Sequence, residues 1–152
     1  RVMVLSDFVR ESDIHLQLDA RSKDEVLALL VGSLGLAPPE ESFVLRVLQR
    51  REHLGSTGIG RGVAIPHCRT AVVDQLRIVF GRQPAGVDFD AVDNQPVFFL
   101  FLLVAPPIEI SNDYLPVLGR IAQLVKEPDV PQRLSEVTSP AEFMQLLAEK
   151  GV

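Results

Sequence analysis

Arg51, the segment Gly55-Ser56-Thr57-Gly58-Ile59-Gly60-Arg61-Gly62 and His67 lie within 17 consecutive residues. Together they carry the parts needed to hold a transferable anion. Imidazole is a nucleophile near neutral pH, because its ordinary pKa is about 6.5. A phosphoryl group on an imidazole nitrogen has a high transfer potential and needs positive charge and hydrogen-bond donors around it. The guanidinium of Arg51 suits that task through paired, charge-assisted hydrogen bonds. Ser56 and Thr57 add hydroxyl donors, and four glycines in eight residues allow backbone N–H groups to converge on an anion. Pro66 stiffens the backbone just before His67.

Nucleotide sites fit the same glycines poorly. A P-loop needs Gly-Lys-Ser/Thr opening a helix after a strand. Here no lysine follows, and the loop comes after a helix and before a strand. A dinucleotide fingerprint needs Gly-x-Gly-x-x-Gly between strand and helix, which Gly58-Ile59-Gly60-Arg61-Gly62 does not offer.

The other reactive side chains have plainer uses. Cys68 follows His67, and neighbours on an extended chain point to opposite faces, so a Cys/His dyad is disfavoured and Cys68 is expected as a small buried hydrophobe. His53 belongs to a helix end, where a cation faces the negative end of the dipole. His15 sits in an alternating stretch expected as a half-exposed strand. Asp88 and Asp90 flank Phe89 in a loop. No cluster has metal-ligand spacing, and no cofactor is implied.

The elements that must position these residues are legible from period and punctuation. Ser22-Lys23-Asp24-Glu25 is a capping box opening a helix with Val26, Leu27, Leu30, Val31 and Leu34 inward, stopped by Gly35. A second helix runs from about Pro39 to Leu54, with Phe43, Val44, Val47, Leu48 and Leu54 as its apolar stripe. Val63 to His67 reads as a short strand and Gln75 to Arg82 as another. Val97 to Val104 is almost solidly apolar, the pattern of a strand buried on both faces. A helix starting near Asp113 carries Leu115, Leu118, Ile121, Ala122 and Val125 and stops at Pro128. The last helix has Ser139 as N-cap, Pro140 at its first position and Glu142 at its third. The expected fold is α/β, a small mixed β-sheet flanked by helices on both faces, as a single domain over residues 1–152.

Composition narrows the function. Fifteen basic against 20 acidic residues give a net charge of −5, with no basic stripe for phosphate backbones, so nucleic acid is not an expected partner. The longest apolar run, Val97 to Ala105, has nine residues against the roughly 20 that span a bilayer. Direct membrane insertion is therefore not expected. One cysteine excludes a disulfide framework within the chain and fits a reducing, cytoplasmic setting.

Arg51-Glu52, Gly55-Ser56-Thr57-Gly58-Ile59-Gly60 and Gly62-Val63-Ala64-Ile65-Pro66-His67, in that order, resemble the active-site signature of the fructose/mannitol-type enzyme IIA domains. These belong to the bacterial phosphoenolpyruvate-dependent phosphotransferase system and include the nitrogen-regulatory enzyme IIA. Phe89-Asp90-Ala91-Val92-Asp93-Asn94-Gln95-Pro96-Val97 extends the resemblance and leans toward the nitrogen-regulatory branch. The resemblance implies that His67 accepts a phosphoryl group on Nε2 from an HPr-type phosphocarrier protein, and that Arg51 binds phosphate. An enzyme IIB or a regulatory target protein would be the next partner. Such a chain is a phosphoryl-transfer component with a transient phosphohistidine rather than a free-standing metabolic enzyme. Its docking surface is expected as a shallow apolar ring around His67, drawn from Ile59, Val63 and Ile65.

The family's members usually carry a second histidine at the start of the helix after the buried strand. Tyr114 occupies that place here. Its hydroxyl can donate to a phosphoryl oxygen or to the His67 ring but brings no positive charge. This departure motivates the alternative reading, a non-phosphorylated regulatory binding module that keeps the fold.

Overall fold

Two apolar faces on one strand organise the molecule, whose computed structural model describes residues 3–152. On β6 (Val97–Ala105), Phe99, Phe101, Leu103 and Ala105 belong to one buried cluster, and Leu100, Leu102 and Val104 to another. This is the period of two expected of a strand covered on both sides. β5 (Arg77–Val87) follows the same rule, with Ile78 and Phe80 on the first face and Val79 and Val87 on the second.

Helices cover both faces. α1 (Lys23–Gly32) and α2 (Pro38–His53) place Val26, Leu27, Leu30, Val31, Val44 and Leu48 in the second cluster. α3 (Tyr114–Lys126), α4 (Val130–Glu136) and α5 (Pro140–Lys150) place Val117, Ile121, Leu124, Leu134, Phe143 and Leu146 in the first. Five of the sheet's six strands run in the order β1-β5-β6-β3-β2, with β1 at Val9–His15, β2 at Gly58–Gly60 and β3 at Val63–Ala64, and the sixth, β4 (His67–Arg69), also pairs with β6. β5 and β6 are antiparallel, whereas β1 runs parallel to β5 and β3 parallel to β6. The mixed single-domain sheet expected from the pattern is the one observed.

The strand expected over Val63 to His67 is two pieces. β3 ends at Ala64 and β4 (His67–Arg69) begins at His67. Both pair with β6 in one continuous register, Ala64 opposite Leu100 and His67 opposite Leu103. The gap falls at Ile65-Pro66, where proline has no N–H to give the ladder; its carbonyl still accepts from the Leu103 N–H at 2.9 Å.

Ser22 and Ser139 cap their helices, accepting from the backbone N–H groups of Glu25 and Glu142 at 3.1 Å each. Several apolar stripes are narrower than their period suggests. Leu54 lies past the end of α2 and is 86% exposed, and Leu115 of α3 is 68% exposed. α4 has no counterpart in the pattern analysis, because Pro128 and Pro131 on either side of its start read as loop.

Candidate functional site

His67 reaches its position through strand parity. Its partner Leu103 points into the face covered by α3, so His67 and Arg69 project there too, while Cys68 turns into the α1–α2 cluster. His67 therefore meets the first residue of α3. Its ring centroid lies 5.9 Å from that of Tyr114, tilted by 54°. Cys68 is buried, and burial pushes its thiol up to about 12. It is an inert packing group on the opposite face from His67.

The hydrogen bond that defines the imidazole is local. His67 Nδ1 lies 2.6 Å from the carbonyl oxygen of Ile65. A carbonyl only accepts, so Nδ1 carries the ring proton and Nε2 keeps its lone pair. Among the described residues Nε2 has no hydrogen-bond partner. The ring is half-buried, which holds it in one orientation while leaving it reachable.

Arg51 sits in the last turn of α2, and its Nη1 donates to the carbonyl of Gly55 at 2.8 Å. This bond tethers the guanidinium to the start of the glycine segment. That segment runs back along the strand leading to His67: the Ile65 N–H donates to the Thr57 carbonyl at 3.0 Å.

The hydroxyls of Ser56 and Thr57 are engaged inside the protein. Thr57 Oγ1 donates to Glu52 Oε2 and its N–H to Glu52 Oε1 at 3.1 Å. Ser56 Oγ donates to the Phe89 carbonyl at 2.5 Å and accepts from the Gly58 N–H at 2.9 Å. Glu52 is itself buried and paired with Lys23 Nζ at 2.9 Å. The backbone N–H groups expected to converge on an anion are largely spent: those of Gly55, Thr57 and Gly58 go to Glu52 and Ser56. The glycines serve close packing as well. A Cβ on Gly58 would lie 2.8 Å from the Ala91 Cβ, too near for any side chain.

Tyr114 is half-buried between cations. Burial pushes its phenol up to about 12, against a smaller pull downward from Arg69 and Arg51, so it stays a neutral donor at physiological pH. The Arg69 guanidinium lies over its ring, 4.5 Å from the centroid. Sequence reasoning passed over Arg69. The signal was available, since position i+2 on a strand shares a face with position i.

Val63 and Ile65, expected in an exposed ring, are core residues at 0% and 4% exposure. Their strand lies inside the sheet, covered by α3 and its neighbours. The exposed apolar side chains closest in sequence to the site residues are Leu54, Ile59 and Leu115, so of the three residues expected in the ring only Ile59 is exposed. His53 is exposed at the end of α2, and His15 is half-buried. A cleft of about 910 Å³ between Arg61, Arg82, Phe98 and Pro131 contains none of the candidate site residues. Among the described residues no group of three or more His, Cys, Asp or Glu is placed to hold a metal, and no helix is long and apolar enough to cross a membrane.

A mixed six-stranded sheet between two helical layers is the architecture of an enzyme IIA domain, and here His67 heads the segment that resumes the interrupted strand beside β6. Residues 7–150 match the family described as phosphoenolpyruvate-dependent sugar phosphotransferase system, EIIA 2, and the chain belongs to it. A nitrogen regulatory protein of Bradyrhizobium diazoefficiens is 36% identical over 133 residues, covering 87% of this chain and 86% of that one. The crystal structure of nitrogen regulatory protein IIA-Ntr from Neisseria meningitidis superposes with a TM-score of 0.86 at 32% identity, over 94% of this chain and 98% of that one. A mannitol enzyme IIA of Escherichia coli, solved in complex with its phosphorylated enzyme IIB, shares the fold at a TM-score of 0.74 and 23% identity, over 93% and 99% of the two chains.

Proposed function

We propose that this chain is a phosphohistidine carrier whose acceptor atom is Nε2 of His67, acting as a nitrogen-type regulator in the cytoplasm. The observation that carries this reading is the Nδ1 bond to the Ile65 carbonyl. It fixes the tautomer in which Nε2 is the nucleophile. In the transfer, the Nε2 lone pair attacks phosphorus as the N–P bond of the donor's phosphohistidine breaks. The donor imidazole leaves neutral, and the positive charge passes to the His67 ring. That charge is then shared with the Nδ1–H bond to Ile65. No proton needs to move.

Arg51 balances the charge of the transferring group. Its tether to Gly55 keeps it beside the loop while its remaining N–H groups stay available. Ser56 and Thr57 support the site by building the loop, since their hydroxyl protons already have acceptors in this structure. The donor is an HPr-type phosphocarrier protein, and the exposed apolar side chains next to site residues in sequence, Leu54, Ile59 and Leu115, are the candidates for its docking surface. The acceptor is a regulatory target protein, as the nitrogen regulatory relatives suggest, or an enzyme IIB. The mannitol enzyme IIA of the same fold is seen with such a partner.

Incubation with phosphoenolpyruvate, enzyme I and an HPr-type carrier tests the reading by intact mass. One acid-labile phosphoryl group, absent in His67→Ala, is the expected result. A second reading has its own observation: Tyr114 replaces a histidine with a neutral group, which suits a binding module without turnover. Lack of incorporation from a cognate donor would favour that module.

A further inference from the structure

A transferred phosphoryl group carries negative charge, and Tyr114 cannot answer it. The question is which other group supplies the second cation beside Arg51. Arg69 follows His67 by two residues on β4, so both side chains leave the same face of the sheet, about 7 Å apart at their Cα atoms. Both also meet the same aromatic ring. The His67 and Tyr114 centroids are 5.9 Å apart, and the Arg69 guanidinium lies 4.5 Å from the Tyr114 centroid.

The Arg69 side chain is anchored. Its Nη1 donates to the Pro106 carbonyl at 3.0 Å and to the Ser111 carbonyl at 3.2 Å. Those two acceptors hold one edge of the guanidinium, while Nε and Nη2 donate no hydrogen bond among the described residues. Neither Arg69 nor Arg51 has an ion pair with a carboxylate among the described residues. Arg77, by contrast, is paired with Asp13 and Arg133 with Glu149. The Arg51 and Arg69 guanidiniums thus keep their charge free for an anion, and Arg69, stacked on Tyr114, is already ordered before the anion arrives, which lowers the entropy lost on binding.

We propose that Arg69 is the second cation of the phosphoryl site, with Tyr114 serving as the aromatic seat that holds its guanidinium toward Nε2 of His67. The proposal rests on His67 being the acceptor. It gives the tyrosine a role that the family's histidine would not have: a phenol ring attracts a guanidinium over its face, so the charge enters from β4 rather than from α3.

Two measurements test it together. The first is the rate of phosphoryl acceptance from the HPr-type carrier, together with the hydrolytic lifetime of the product. Arg69→Gln should slow acceptance by about tenfold to a hundredfold, the worth of one charged hydrogen bond. Arg69→Lys should recover part of that loss, and Tyr114→Leu, which removes the aromatic seat, should fall between wild type and Arg69→Gln. The second is an NMR titration with inorganic phosphate, which needs no turnover. Phosphate should shift the His67 and Arg69 side-chain signals in the wild type, and about tenfold more phosphate should be needed in Arg69→Gln. A lysine rescue in both measurements separates charge from the anchoring of the Pro106–Ser111 segment. Wild-type acceptance and phosphate affinity in a folded Arg69→Gln would overturn the proposal while leaving His67 as acceptor. A folded Tyr114→Leu that accepts the phosphoryl group at the wild-type rate would overturn the role given to the ring. If the wild type takes no phosphoryl group, the acceptor reading fails and the phosphate titration alone decides for or against Arg69.

Discussion

His67 gives its Nδ1 proton to the carbonyl oxygen of Ile65, two residues earlier in the gap before β4, at 2.6 Å. The bond is possible because Ile65-Pro66 interrupts the ladder between β3 and β4. The Ile65 carbonyl is therefore free to face the ring. Backbone geometry rather than a carboxylate orients this imidazole. The expectation is a single neutral tautomer. Nitrogen-15 chemical shifts of the ring should show a pyrrole-type Nδ1 and a pyridine-type Nε2. The reverse pattern would place the nucleophile on the wrong nitrogen for the proposed transfer.

Glu52 is the buried hub beneath the glycine segment, accepting from Thr57 twice and from Lys23. Glu52→Ala should leave the Thr57 N–H without a partner and Lys23 with only the Phe89 carbonyl at 3.4 Å, the Phe89 ring and the exposed Asp90 at 3.8 Å. The expected destabilisation is about 3 kcal/mol, read as a fall in melting temperature of roughly 10 °C. Lys23→Met in the Glu52→Ala background should recover part of it. If Glu52→Ala melts with the wild type, the hub is not holding the loop.

Acid should weaken the fold through Asp13. Burial alone would raise this carboxyl, but hydrogen bonds from Arg77, Ser33 and Arg10 outweigh that and hold its pKa below the ordinary 3.8. The unfolded chain therefore binds the proton more readily than the folded one. The stabilisation is fully present above about pH 4 and drains away as pH falls through the folded pKa. Urea unfolding of wild type and Asp13→Asn at a series of pH values should show the gap between them closing below about pH 4. A constant gap would mean that the charge on Asp13 contributes nothing.

Cys68 should resist alkylation. Its thiol is buried and pushed up to about 12, and the thiolate is the reactive form. Iodoacetamide at pH 8 should modify the unfolded chain rapidly and the native chain only at the rate of opening. Fast native modification would show that the thiol faces the site rather than the α1–α2 cluster.

Much of this was legible because local chemistry and the fold agree. The caps at Ser22 and Ser139 and the doubly buried β6 follow from spacing alone. The reactive pair Arg51 and His67 stood out because a glycine run between them cannot be core. Three features were not legible. α4 is seven residues long with prolines around its start, too short for a period to emerge. Ser56 and Thr57 looked like free donors, since the acceptors that engage them, Glu52 and the Phe89 carbonyl, meet them only through folding. Arg69 shares a face with His67 by local spacing, but its stacking on Tyr114, 45 residues away in sequence, is a contact that no local pattern encodes.

The uninterrupted register of β3 and β4 along β6 turns the chain between Ala64 and His67 into a counter. Inserting one residue there would reverse the parity of everything downstream on β4, turning the imidazole into the α1–α2 cluster and Cys68 toward Tyr114. Inserting two would restore the original order, one notch further along β6. Chemistry at this site is therefore tied to an even or odd count of residues as firmly as to their identity.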